Sequence, residues 1–184
     1  NNIHNNAFYQ RNTARPMTRQ IPIYLLAGQS NMAGRGELAD LDQFPAIQMG
    51  LNDAHDSILY DFVCSFGADR GEPFSSGGAF ASCGFTQLAP CQKHPSTPGP
   101  HFGPELSFGV RMGEQIDGAQ MHIALVKHGR GGTNLTTDWN PTAGGRGLFM
   151  QMLEQYRHRS DDLVARGFQP RIAGFGWFQG EGDS

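Results

Sequence analysis

Long apolar runs, clustered basic residues and cysteines are all scarce in this chain, and each scarcity removes a class of function. No apolar stretch approaches the roughly 18 residues of a membrane-spanning helix, so no membrane partner is expected. Lys and Arg number 14 against 17 Asp and Glu, a net charge of -3, and they form no stripe or cluster. A nucleic-acid partner is therefore not expected either. Three cysteines, Cys64, Cys83 and Cys91, are too few for a disulfide framework and match no zinc spacing. Cys83 and Cys91 share a Gly/Pro/Ser-rich stretch, where an oxidised pair would suit an exported protein. An initiator Met is also missing. The opening 1–20 is polar, lacks an apolar h-region and reads as a processed tail outside the fold, which favours a secreted or periplasmic location.

What the chain does have is 38% hydrophobic residues with 25 Gly and 11 Pro over 184 residues, the composition of one loop-rich globular domain. Ile21 to Ala27 is short, branched and aromatic, and Gly28 stops it, so it reads as a buried strand. Met49 is a candidate start for an edge strand, and Ser57 to Cys64 reads as a further strand. Residues 65–101 turn to Gly, Ser, Pro and Cys without helical period, and read as an irregular lid or insertion. Pro104 opens a helix expected to reach Ile116, Met121 to Lys127 forms another strand, and Gly147 to Arg166 makes the longest helix. Gly167 caps that helix, and Arg171 to Phe178 is the last strand. Helices alternating with apolar strands imply a parallel sheet covered on both faces.

Parallel strands bring their carboxyl ends to one edge, where such sheets bind ligands. Ser30, the Gly131-Gly132 turn and Gln179 each follow a strand and should meet there. They supply what acyl transfer needs: a hydroxyl nucleophile, glycine N–H groups that approach an oxyanion closely, and a neutral amide donor. The simpler alternative is that Ser30 only caps the following helix.

Gly28-Gln29-Ser30-Asn31-Met32-Ala33-Gly34, Gly103-Pro104-Glu105, Gly131-Gly132-Thr133 with Trp139, and Trp177-Phe178-Gln179-Gly180-Glu181 occur in that order. Together they resemble the sialate O-acetylesterase and acetyl xylan esterase group, carbohydrate esterase family six of the SGNH hydrolases. The likeness runs from about Ile21 to the last residue. It implies a flavodoxin-like three-layer α/β/α sandwich, lacking its C-terminal part, over 21–184. It also implies serine-dependent removal of acetyl groups from carbohydrates such as acetylated xylan or sialic acid, with no metal or organic cofactor. Ser30 becomes the nucleophile; its own N–H, Gly131 or Gly132, and Gln179 become the oxyanion hole. Glu181 is a supporting acid, base or hydrogen-bonded brace. Asn31, Arg35, Asn134 and Trp139 are candidates for contact with the sugar, although Trp139 and Trp177 also suit the core.

The family's His base and its Asp partner lie in a late Asp-x-x-His motif, and this chain ends at Ser184 without one. The expectation is that a C-terminal continuation or a second chain completes the site. The alternative is a carbohydrate-binding or structural module that keeps the sheet without the chemistry. His128 is the histidine nearest the expected pocket, but reads first as a polar strand-end residue. Gly182-Asp183-Ser184 spells the superfamily's nucleophile motif at the wrong end of the domain. Gly129-x-Gly131 would suit a dinucleotide, but Asn140-Pro141 interrupts the helix such a site requires.

Overall fold

The computed structural model describes residues 19–42, 50–64, 84–90, 92–93, 100–116, 122–142 and 147–183. The expected edge strand at Met49, the Cys83–Cys91 pair and Ser184 lie outside them.

Five strands form the main sheet, in the order β4-β3-β7-β1-β8. They are β1 (Arg19–Gly28), β3 (His55–Cys64), β4 (Thr86–Leu88), β7 (Ile123–Gly129) and β8 (Phe168–Phe178). All pairings are parallel except the β3–β4 ladder. A second small sheet joins β2 (Gly36–Glu37), β6 (Pro100–Phe102) and β5 (Gln92–Lys93). The stretch read as irregular, 65–101, thus holds β4, β5 and the start of β6. Strands of two or three residues among Gly, Ser and Pro show no alternation for a sequence reading to detect.

Alternation along β7 explains the layers. All seven of its residues are buried, as a central strand covered on both faces requires. Ile123 and Leu125 face helix α3 (Pro104–Glu114) and pack with its Leu106 and Val110, together with Ile58 and Tyr60 of β3. Ala124 and Val126 face helix α4 (Leu148–Ala165), whose Leu163 closes over Ile21, Ile23 and Leu25 of β1. Successive side chains on opposite faces therefore build two cores, one per helical layer. The expected three-layer α/β/α arrangement is present. α3 begins at Pro104 as expected. Gly167, with φ +85°, follows the end of α4 and donates its N–H to Val164.

β8 starts three residues before Arg171, and its register with β1 shifts once. Ile23 pairs with Ile172, but Tyr24 pairs with Gly174, so Ala173 is an extra residue. That bulge resets which face each later residue of β8 occupies.

Candidate active site

The carboxyl ends of β7, β1 and β8 lie on one line, since Gly28 pairs with both Gly129 and Phe178. Backbone hydrogen bonds lock the three exits together. Gln29 N–H donates to the Phe178 carbonyl at 2.8 Å, and Arg130 N–H to the Gly28 carbonyl at 3.0 Å. Gly28 adopts φ +148°, and a Cβ there would overlap the Phe178 carbonyl, so only glycine permits this closeness. The turn carrying Ser30, the Gly131-Gly132 turn and the turn carrying Gln179 therefore emerge side by side.

Ser30 opens a single helical turn, α1 (Ser30–Ala33), whose N-cap is Gln29. The capping alternative fails: the cap position belongs to Gln29, and among the described residues no side chain caps this turn. Ser30 is partly exposed, while Met32 and Ala33 are buried beneath it.

Glu181 clasps both neighbours of Ser30. Its carboxylate accepts hydrogen bonds from Gln29 Nε2 and Asn31 Nδ2. A bond from its own backbone N–H, and then those two amides, hold the carboxyl below its ordinary range. It is thus ionised at neutral pH, an acceptor and not an acid.

Gln179 donates from Nε2 to the Thr133 carbonyl at 2.7 Å and to Asp183 at 3.3 Å. Its Oε1 is buried and finds no donor among the described residues. Both amide hydrogens are engaged, so Gln179 ties the last turn to the Gly-Gly-Thr turn in this arrangement. Asp183 adds a second tie by accepting from Leu135 N–H at 2.7 Å. The sequence offered Asp183 only as part of a misplaced motif; its position four residues after Gln179 is the one signal it gave.

The family model for "Carbohydrate esterase, sialic acid-specific acetylesterase" matches residues 20–184. The chain belongs to that family. No curated protein matches it. Among solved structures, a protein from Arabidopsis thaliana is similar at 20% identity and TM-score 0.56, over 89% of this chain and 59% of that one. NanS is similar at 19% identity and TM-score 0.53, over 90% of this chain and 55% of NanS. The chain thus spans between half and two thirds of each neighbour's length.

The remaining candidates of this carbohydrate esterase family member are dispersed in role. Trp139 is only 3% exposed. Its Nε1 donates to Thr133 Oγ1 at 3.1 Å and its ring meets Trp177 edge-on at 4.8 Å. It fills the core and offers no face for a sugar, because the Thr133 hydroxyl draws the indole inward. Asn134 spends its side-chain oxygen on Thr136 and Thr137, shaping its own turn. Arg35 is exposed just beyond α1. An apolar cleft of about 430 Å³ opens between α3 and β8, lined by Leu26, Met32, Phe108, Gly176 and Phe178.

Among the described residues, no histidine is hydrogen-bonded to Ser30. His128 is fully buried within β7, facing α4, where its Nδ1 meets Gln155 Oε1 at 2.9 Å. Burial pushes its pKa down to about 4, so it is a neutral core residue. No group of three or more His, Cys, Asp or Glu suited to a metal occurs among the described residues.

Proposed function

We propose that this chain carries the nucleophile of a serine esterase that removes O-acetyl groups from carbohydrates. Acetylated sialic acid and acetylated xylan are the substrates to compare. Ser30 Oγ attacks the acetyl carbonyl while its proton passes to a histidine base from outside the described residues. The sugar hydroxyl leaves with that proton, and water then releases acetate from acetyl-Ser30. The Ser30 N–H and a glycine N–H of the Gly131-Gly132 turn meet the oxyanion. Gln179 joins them by exchanging its longer bond, to Asp183, for the oxyanion while it keeps Thr133.

The observation that carries this reading is the clasp. Glu181, from the turn after β8, holds the residues on both sides of a partly exposed Ser30 at the edge where the glycine turn also emerges. A serine that was only a loop residue would have no need of such bracing.

A fluorophosphonate probe tests it, because only an activated serine is labelled. The peptide containing Ser30 should bear the added mass, Ser30→Ala should abolish it, and both labelling and acetate release should be lost together. A folded protein that stays unlabelled yet binds acetylated sugar would establish the binding-module alternative instead.

A further inference from the structure

The Gly103-Pro104-Glu105 segment and the lysine near the end of β7 remain without a role in the chemistry above. Lys127 shares the face of Ile123 and Leu125 on β7, and it is wholly buried (0% exposed). A buried ammonium must find partners. Lys127 Nζ donates to Glu105, itself 1% exposed, and to the Ala33 carbonyl at 2.9 Å; it also lies 4.3 Å from the centre of the Phe62 ring. The other oxygen of Glu105 accepts from Gly103 N–H at 3.0 Å.

Ala33 is the last residue of α1. A four-residue helix cannot hold itself, and its terminal carbonyls lack intrahelical donors. Ala33 N–H donates to Gln29 and Gly34 N–H to Ser30, which closes the turn, but the Ala33 carbonyl depends on Lys127. The cation also complements the carboxyl end of the turn. Close approach of two backbones makes this possible. A Cβ on Gly34 would overlap the Cα of Gly103, and one on Gly103 would stand 2.9 Å from Lys127 Nζ.

We propose that Lys127 and Glu105 form a buried brace that positions Ser30 by fixing the carbonyl end of the helical turn that Ser30 begins. The proposal rests on Ser30 being the esterase nucleophile. A buried ion pair is a poor device for stability, since its desolvation offsets its attraction. Placed under the nucleophile turn and tied to it by a hydrogen bond, the pair instead sets geometry. Lys127 and Glu105 are positioning residues; neither touches the reacting atoms.

The test replaces both partners at once, Lys127→Met with Glu105→Leu, so that no lone charge is left buried. The double variant should melt at or above the wild-type temperature. Its kcat on p-nitrophenyl acetate should fall about 10- to 100-fold with KM little changed, as expected of a misplaced nucleophile. Amide hydrogen exchange at Ala33 and Gly34 should accelerate while Leu125 in β7 stays protected. A folded double variant with wild-type kcat and protection overturns the brace. Should the wild-type protein show no turnover even with the segment that supplies its histidine base present, the esterase reading fails and the exchange measurement alone decides the brace. Should the double variant not fold, exchange in the wild-type protein decides. Ala33 and Gly34 amides as protected as Leu125 support the brace, and amides exchanging as fast as that of Asp53 in its exposed turn refute it.

Discussion

Glu181 lies at the surface and reaches both neighbours of Ser30. It is an exposed carboxylate, so removing it should cost folding little, within about 0.5 kcal/mol as for other surface changes. What it holds is the orientation of Gln29 and Asn31, and through them the backbone on both sides of Ser30. Glu181→Ala should slow fluorophosphonate labelling of Ser30 about tenfold, because small misplacements of a reacting group are costly. The melting temperature should move by no more than about 2 °C. A wild-type labelling rate would show that Ser30 is held without the clasp. Ser30 itself was legible because a glycine halts an apolar run just before it. The shorter hydrogen bond of Gln179 was not, since its acceptor is a carbonyl 46 residues away. Lys127 escaped notice because a lysine near a strand end ordinarily reads as solvated. Its shared parity with Ile123 and Leu125 was the clue that placed it inside.

Among the elements, α4 carries the most separable prediction. It has a long polar content, so its place depends on few apolar anchors, and Leu163 is the one wholly buried among Ile21, Ile23, Leu25, Ala124 and Val126. Its neighbour Val164 is 57% exposed. Leu163→Ala should destabilise by about 2–5 kcal/mol, and Val164→Ala by less than about 0.5, read as urea midpoints. Equal effects would mean that α4 does not sit on β1 as described. The long helices and the β1, β7 and β8 strands were legible because each is bounded by glycine or proline and has enough residues to show a period. The β8 bulge was not, because an extra residue in an edge strand changes faces without changing composition. The second sheet escaped for the opposite reason: its strands are too short to show any alternation at all.

Across the whole molecule, one buried polar chain joins the central strand, the longest helix and β3. His128 Nδ1 meets Gln155 Oε1; Gln155 Nε2 donates to Asp61 and to the Lys127 carbonyl, each at 3.1 Å; Arg159 stands 3.3 Å from Asp61. The orientation of Gln155, with its amide hydrogens on two oxygens, leaves its Oε1 as acceptor and assigns the neutral His128 proton to Nδ1. Protonating the ring would place a charge in a fully buried site, beside the charge of Arg130, which also lowers the pKa. The sign follows. Above pH 6.5 His128 is neutral in both folded and unfolded chains, and its contribution is complete. Below 6.5 the unfolded chain takes up a proton that the folded one refuses until about pH 4, so stability falls through that window. The full loss is about 3 kcal/mol, from the separation of the two pKa values. Glu181, whose carboxyl is lowered below 4.5, contributes its own loss only beneath that value. Urea midpoints should therefore decline steadily between pH 6.5 and 4.5. His128→Asn retains a donor for Gln155 but cannot titrate, so it should be less stable at neutral pH and far flatter across the window. A wild-type midpoint that does not move over this range would mean that the ring is not held neutral by burial, and the polar chain would lose its anchor.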